Sequence, residues 1–328
     1  MSSPHIASLA ALCLVVSACS DTADGQSLTP NGSVVNTPSE TSQTAPRPAN
    51  FDEWKRAFRP RAIGNGISPG VFDQALSGVT PNPRVLELDR FQPEFTRPIW
   101  EYLDGAVSDT RVRNGRDAAA GYAATLSEIE ARFGVDRNVV VAIWGLESAY
   151  GANMGSMSVV RSMATLSYDG RRQKFAEDQL IAALRIIQSG DVKGGNLVGS
   201  WAGAMGHTQF IPTSYADYAV DFTGDGRRDV WASDPSDALA STANYLARFG
   251  WTRGQPAVIE ITLPPNFDYA QADPKIRKST SEWRALGISA PGAPEVEASV
   301  LIPAGARGPA FLELPNFRVI KRYNNATS

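Results

Sequence analysis

One carboxyl group in this sequence is placed, by its spacing, among apolar side chains. Ile143 and Trp144 precede Glu147 by one helical turn, so a helix puts these three side chains on one face, and Val140 extends that face by another turn. Burial of an ionised carboxylate is unfavourable, and desolvation raises its pKa. A carboxyl group that stays protonated near neutral pH beside a tryptophan can act as the general acid in glycoside cleavage. The same spacing also suits a glutamate at a helix end that pairs with an arginine or faces solvent.

The composition leaves few other residues for catalysis. The 328 residues include only two cysteines, Cys13 and Cys19, and two histidines, His5 and His207. If the first 19 residues are a targeting signal, the remainder has no Cys/His zinc site, disulfide framework or cysteine nucleophile, and a Ser-His-Asp triad would depend on His207 alone. The 31 basic and 34 acidic residues nearly balance, which argues against a nucleic-acid partner.

The N-terminus has the pattern of an export signal. The uncharged apolar run from Ile6 to Ala18 is shorter than the roughly 20 residues of a membrane-spanning helix, and it is typical of a signal peptide. Residues 16–19, Val-Ser-Ala-Cys, resemble a bacterial lipobox, which would make Cys19 the lipidated residue after removal of residues 1–18. The alternative is an ordinary signal peptide with a chance cysteine.

Three further regions follow along the chain. Residues 19–50 are rich in Thr, Ser, Pro, Asn and Gly, so we expect a flexible tether. Helical spacing and caps predict a largely helical region over 51–251. Short strand signals at 257–263, 300–302 and 310–314 predict a small β-containing portion over 252–315, and Phe317–Ile320 is a further strand candidate in the last segment, 316–328. The predicted fold class is therefore mainly α with a small β portion.

Several long blocks resemble the membrane-bound lytic transglycosylase B family, which cleaves bacterial peptidoglycan. They are Trp144–Gly151, Gly199–Tyr215, Tyr218–Trp231, Ala238–Tyr245 and Asn316–Asn324, and the resemblance extends over about 51–328. It implies a lysozyme-like helical catalytic domain with a small β-containing subdomain, in which 316–328 returns to the catalytic groove. It also implies a closing helix beyond Asn324, for which a chain ending at Ser328 has too few residues.

The resemblance implies that Glu147 works without a cofactor. Glu147 would protonate the oxygen that links N-acetylmuramic acid to N-acetylglucosamine, and then take the proton from the muramic acid 6-hydroxyl. That hydroxyl attacks its own anomeric carbon and gives a 1,6-anhydro sugar, whereas most glycosidases use two carboxylates. The alternatives are a hydrolytic muramidase on the same fold and an inactive wall-binding scaffold protein.

The resemblance also assigns substrate contacts. Ser200 and Gln209 match positions near the sugar, although both residue types also cap helices and turns. Arg171 and Arg172 match a pair that engages peptide-stem or lactyl carboxylates, unless they are simply solvated at a helix start. The expected groove-lining residues are Tyr102, Tyr245, Tyr323 and Asn324. His207 matches a variable position, and the mechanism has no role for it.

Residues 221–229 resemble the start of an EF-hand calcium loop. Asp221, Thr223 and Asp225 occupy the first ligand positions, and Arg227 would offer its backbone carbonyl. The twelfth position is not a glutamate, so Asp237 is the candidate for the last ligand of a structural Ca²⁺. The alternative is an Asx-rich turn without an ion.

The partners implied are peptidoglycan glycan strands, a lipid anchor in the membrane, and proteins of cell-wall synthesis or division. The expected location is the periplasmic side of the bacterial cell envelope, with a lipid anchor in the outer membrane.

Overall fold

The structure is a computed structural model that describes residues 48–90, 99–192 and 196–324. The predicted signal peptide, most of the predicted tether, and His5, Cys13 and Cys19 lie outside the described residues. No helix in the described parts of the chain combines the length and the apolar character needed to cross a membrane.

The described residues are mainly helical, as predicted, with small sheets. The helices are α1 (Phe51–Gly64), α2 (Pro69–Ala75), α3 (Pro83–Arg90), α4 (Ile99–Ala106), α5 (Asp109–Gly121), α6 (Ala123–Phe133), α7 (Arg137–Ser148), α8 (Val159–Asp169), α9 (Gln173–Ser189), α10 (Pro212–Tyr218), α11 (Ser236–Arg248), α12 (Thr280–Ala285) and α13 (Pro315–Tyr323). The strands are β1 (Met157–Ser158), β2 (Val198–Gly199), β3 (Val258–Ile261), β4 (Lys278–Ser279), β5 (Glu297–Leu301) and β6 (Ala310–Glu313).

The strands form two antiparallel sheets. β1 and β2 pair with Met157 opposite Gly199, and the larger sheet has the order β3-β6-β5-β4. Its core contains Trp283 and Leu312, and it is separate from the larger core built by the helices. The division of the chain at residue 251 stays a prediction.

Local signals define α7, the helix that carries Glu147. The preceding helix α6 stops at Gly134, whose φ of 73° is in the left-handed region. The Asp136 side chain then accepts a hydrogen bond from the backbone N–H of Asn138, which caps α7. α7 packs against α5, α6 and α11, so it lies in the middle of the helical part.

One strand prediction was wrong. Phe317–Ile320 lies within α13, not in a strand. Pro315 occupies the first turn of this helix, where its missing N–H and fixed φ favour a helix start, and Val319 is buried in the helical core. A short run of β-branched and aromatic residues does not by itself separate strand from helix, and packing decided here.

Candidate active site

Glu147 lies in the last turn of α7, on the apolar face that the spacing predicted. Val140, Ile143 and Trp144 are buried, and Glu147 itself is partly exposed. Among the described residues it has no hydrogen-bond or ion-pair partner. Burial raises the pKa of Glu147 to about 8, so its carboxyl group is protonated at neutral pH. No charged neighbour in the described parts contributes to this shift, and the arginine-paired alternative therefore does not apply.

The backbone around Glu147 is strained. Within the described ranges, three residues other than glycine have a positive φ: Ala149 at 50°, Tyr150 at 60° and Gln209 at 55°. Ala149 and Tyr150 lie two and three residues after Glu147, and Gln209 is a predicted sugar contact. Strain of this kind persists only where the surroundings impose it, and it concentrates at functional sites.

Ser200 follows β2 and is buried in a tight turn. Its Oγ accepts hydrogen bonds from the backbone N–H groups of Ala202 (3.3 Å) and Ala204 (3.0 Å). The hydroxyl oxygen therefore caps the turn, which is the alternative considered above. Among the described residues the Ser200 hydroxyl donates to no acceptor. Ser200 therefore retains one donor for a ligand.

Gln209 presents the complementary group. Its Nε2 donates to the carbonyl oxygens of Gly206 (2.8 Å) and Met154 (3.2 Å), which uses both amide protons. Its Oε1 accepts no hydrogen bond from the part of the chain that the structure describes. The amide is thus held in one orientation with an acceptor to spare.

Two of the predicted groove tyrosines, Tyr102 and Tyr323, lie close enough to Glu147 for its charge to affect their pKa values. Burial and, next, the charge of Glu147 raise the pKa of both Tyr102 and Tyr323. The Tyr323 hydroxyl donates to the carbonyl oxygen of Thr208 at 2.5 Å, which ties α13 to the residue before Gln209. Helices α4, α7 and α13 therefore meet at this site, and Asn324 directly follows Tyr323.

Tyr245 contacts α13 next to Tyr323. It is buried, its hydroxyl donates to the carbonyl oxygen of Arg322 at 2.6 Å, and its ring contacts that of Tyr323 edge to face at 5.1 Å. Burial raises its pKa to about 12. Its contacts hold Tyr323 in place, and its hydroxyl is already engaged with the backbone.

The predicted arginine pair lies in a different cavity. Arg171 donates from Nε to the buried Asp89 carboxylate at 2.7 Å, and Arg172 Nη1 lies 3.5 Å from the same carboxylate. Arg172 also stacks on the ring of Phe175. The two arginines line an open cavity of about 530 Å³, whose lining residues include neither Glu147 nor Ser200 nor Gln209. One carboxylate faces two guanidinium groups, so the pair is not simply solvated and retains positive charge for an anionic ligand.

The acidic loop brings three carboxylates together. Oxygen atoms of Asp221, Asp225 and Asp237 lie within 4.8 Å of one another. Asp221 accepts from two backbone N–H groups of the loop, at 2.6 and 2.8 Å, and Asp237 accepts from the N–H groups of Phe222 (2.9 Å) and Thr223 (3.0 Å). Asp237 Oδ1 accepts both of the latter bonds, and Asp237 Oδ2 accepts one more, from the N–H of Asp229 at 3.0 Å. The loop is therefore an Asx-type turn in its backbone. Oxygens with a single hydrogen bond, such as Asp237 Oδ2, keep an acceptor site, and such a set of carboxylates suits a hard cation.

Thr223 and Arg227, the two remaining ligand candidates, contact the carboxylates of the loop with their side chains. The Thr223 hydroxyl lies 3.4 Å from Asp221, and the Arg227 guanidinium pairs with Asp225 at 3.2 Å. The structure thus brings Asp237 to the loop despite its distance in sequence. The Arg227 guanidinium group lies on the exposed side of the loop.

His207 is a further residue of this site, and no role was predicted for it from the sequence. Its ring accepts a hydrogen bond from the indole N–H of Trp144 at 3.1 Å, and it is buried. The only available signal was that a lone histidine stood inside a block of glycines and small residues. That signal does not reveal a partner 63 positions away.

The mainly helical fold with small sheets is the lysozyme-like fold of lytic transglycosylases. This chain belongs to the family described as "Transglycosylase SLT domain", whose match covers residues 50–328. The predicted family resemblance is therefore confirmed.

Three relatives illustrate the similarity. SltB3 from Pseudomonas aeruginosa in complex with NAG-NAM-pentapeptide is 53% identical with a TM-score of 0.82, covering 85% of this chain and 76% of that chain. Slt35 from Escherichia coli in complex with calcium is 30% identical with a TM-score of 0.73, covering 83% and 88%. Membrane-bound lytic murein transglycosylase B from E. coli K12 is 34% identical over 235 residues, which is 69% of this chain. The match spans only 63% of the length of that curated relative.

Proposed function

We propose that this protein is a peptidoglycan lytic transglycosylase that forms a 1,6-anhydromuramic acid end. The observation that carries the proposal is the desolvated carboxyl of Glu147, protonated at neutral pH and without a charged partner among the described residues. Family membership supports the same activity, as do the SltB3 complexes with NAG-NAM-pentapeptide and NAG-anhNAM-pentapeptide.

The chemistry needs only one carboxyl group. Glu147 donates its proton to the glycosidic oxygen as the bond breaks, and the resulting carboxylate then accepts the proton of the 6-hydroxyl. That hydroxyl belongs to the same sugar ring, so its high effective concentration replaces an external nucleophile. No cofactor takes part in either step.

Ser200 and Gln209 supply complementary hydrogen bonds to the sugar. The free Ser200 hydroxyl proton suits the carbonyl oxygen of a 2-acetamido group, and the free Gln209 Oε1 suits an N–H or hydroxyl donor. Tyr102, Tyr323 and Asn324 line the same groove. Arg171 and Arg172 form a separate cationic surface for the carboxylates of the peptide stem.

Digestion of purified sacculi tests the activity. Wild type and Glu147→Gln are compared by mass analysis of the released muropeptides, with Glu128→Gln as the matched control, because Glu128 is exposed on the neighbouring helix α6. We expect anhydro products from wild type and the control, and a loss of at least about 100-fold in Glu147→Gln. Equal release by Glu147→Gln would contradict the role of Glu147, and reducing-end products alone would favour a hydrolytic muramidase.

We also propose that the acidic loop binds a structural Ca²⁺ through Asp221, Asp225 and Asp237, with Thr223 and the Arg227 carbonyl as further oxygen donors. Support comes from the spacing of the carboxylates and from the calcium complex of Slt35. Bound Ca²⁺ would supply charge compensation and do no chemistry. Excess Ca²⁺ should raise the Tm of wild type and not that of Asp225→Asn, while Mg²⁺ has little effect on either. An equal Tm with Ca²⁺ and with a chelator would contradict the site.

For localisation, we propose attachment to the bacterial cell envelope through a lipid on Cys19. The lipobox-like residues 16–19 support it, together with the membrane-bound designation of the E. coli relative. Full-length wild type should fractionate with membranes and Cys19→Ala with the soluble periplasmic fraction. Equal fractionation of the two would contradict the anchor.

A further inference from the structure

His207 is a buried histidine whose two ring nitrogens both have partners. Nε2 lies 2.7 Å from the carbonyl oxygen of Ala232, and Nδ1 lies 3.1 Å from the indole nitrogen of Trp144. An indole N–H only donates and a carbonyl only accepts, so Nδ1 must be the acceptor and Nε2 must carry the proton. The contacts therefore define one neutral tautomer. Burial lowers the pKa of His207, in agreement with this assignment.

The backbone of His207 is fixed as well. Its N–H donates to the carbonyl oxygen of Val230 at 3.0 Å, and its carbonyl accepts a hydrogen bond from the Ser148 hydroxyl at 2.5 Å. Gly151 packs so closely on the imidazole that a Cβ at that position would overlap the ring. His207 is thus held by two other segments of the chain, one at Val230 and one at residues 148–151.

These contacts reach α7 on both sides of Glu147. Trp144 precedes Glu147 by three residues and Ser148 follows it by one, and both donate to His207. Glu147 has no hydrogen bond of its own in the described residues. The orientation of its carboxyl group therefore depends on how the last turn of α7 is held.

We propose that His207 is a positioning residue for Glu147: through its Nδ1 acceptor it fixes Trp144, and through Trp144 and Ser148 it fixes the last turn of the catalytic helix. This inference takes one point from the proposed function, namely that Glu147 is the catalytic acid and base. The hydrogen-bond relation itself can be measured without any activity.

Two substitutions separate the two ring nitrogens. Asparagine places Oδ1 where His207 has its Nδ1 acceptor, and glutamine places Nε2 where His207 has its Nε2 donor. His207→Asn can thus keep the bond from Trp144, whereas His207→Gln can keep the bond to Ala232 and loses the one from Trp144. If His207 served only to anchor its loop to Ala232, His207→Asn would be the more damaging variant and His207→Gln the milder one.

The first readout is the indole proton of Trp144, observed by NMR in protein labelled at its tryptophans and assigned by its absence in Trp144→Phe. We expect slow solvent exchange of this proton in wild type and His207→Asn, and exchange at least about tenfold faster in His207→Gln. Equal exchange rates in the two variants would overturn the proposal. Near-UV circular dichroism and Tm establish that both variants are folded.

The second readout is turnover of soluble, uncross-linked peptidoglycan strands. We expect kcat to fall about tenfold in His207→Gln with KM nearly unchanged, because a misplaced acid slows the chemistry and not binding. Trp144→Phe should cost about as much, and the double variant Trp144→Phe/His207→Gln no more than either. Additive losses, or a greater loss in His207→Asn than in His207→Gln, would overturn the proposal. Absence of turnover in wild type would instead refute the proposed function and leave the NMR result to decide on His207.

Discussion

At the scale of the residue, Glu147 combines two effects that favour its protonated form. Its carboxyl group is desolvated. It also lies in the last turn of α7, where the negative end of the helix dipole disfavours the ionised, negatively charged form of the side chain. No arginine or backbone N–H among the described residues offsets these effects. In the proposed mechanism, this single side chain serves as the acid at neutral pH and as the base once its proton has left.

The pH dependence of activity follows from this pKa. Activity requires protonated Glu147 at the start of the reaction, so it should be constant around neutral pH and fall about tenfold per pH unit above about pH 8. Release of anhydro products from soluble strands between pH 5 and 10 measures the profile. Tm at each pH serves as the control for unfolding. A decline already complete at pH 6 would mean that Glu147 is ionised in the folded protein.

Stability should depend on Glu147 in the same pH range. The folded-state pKa of about 8 lies above the ordinary value of 4.5, so the contribution of Glu147 to stability is fully present below about pH 4.5 and is lost as the pH rises to about 8. Glu147→Gln cannot ionise, so its advantage over wild type should grow by about 3 kcal/mol from pH 5 to pH 8. Urea unfolding at both pH values measures this, with Glu128→Gln, on the exposed side of α6, as the matched control.

At the level of the secondary-structure element, α13 connects the four-stranded sheet with the candidate active site. Asn316, the second residue of α13, is fully buried, accepts a hydrogen bond from the Thr252 N–H (2.8 Å), and donates to the carbonyl oxygens of Thr252 (2.9 Å) and Gln255 (2.7 Å). The C-terminal residue of α13, Tyr323, lies at the site. The position of Tyr323 therefore depends on an anchor two turns away.

Removal of that anchor should destabilise the fold. Asn316→Ala removes three hydrogen bonds that a fully buried side chain makes to the backbone of Thr252 and Gln255, and we expect a loss of about 3 kcal/mol in the free energy of unfolding. Urea unfolding followed by circular dichroism measures the loss. Asn114→Ala, on the exposed side of α5, should stay within about 0.5 kcal/mol of wild type. Similar values for the two variants would show that the Asn316 bonds carry no net stability.

At the scale of the whole molecule, two hydrophobic cores share one chain. The helical core surrounds the segments that hold Glu147, Ser200 and Gln209, and the smaller core lies against the four-stranded sheet. Trp283 fills the centre of the smaller core and donates its indole N–H to the carbonyl oxygen of Ala298 at 2.8 Å. Each core has its own large buried tryptophan, since Trp54 occupies the helical one.

This organisation predicts separable local stability. Trp283→Ala should cost about 4 kcal/mol in the smaller core and speed hydrogen exchange in β3–β6, while α7 and α11 stay protected. Trp54→Ala should have the opposite distribution. Hydrogen exchange followed by mass spectrometry measures both. Uniform loss of protection in both variants would mean that the two cores unfold as one unit.

Features that depend on near neighbours along the chain could be predicted from the sequence alone. The cap at Asp136, the stop at Gly134 and the apolar face that includes Glu147 involve residues within two helical turns, so their chemistry is visible in the order of residues. Long blocks of family resemblance likewise identified the fold class. Phe317–Ile320 was predicted wrongly because its local signal is weak and its state depends on packing.

Contacts between residues far apart in the chain depend on how the whole chain packs. Tyr323 reaches the backbone of Thr208 across 115 positions, and Trp144 reaches His207 across 63. A hydrogen bond across such a separation leaves no periodicity or composition in the sequence, since either partner alone is an ordinary buried residue. The elevated pKa of Glu147 is decided in the same way, because desolvation depends on everything packed around the carboxyl group and not on the helix that carries it.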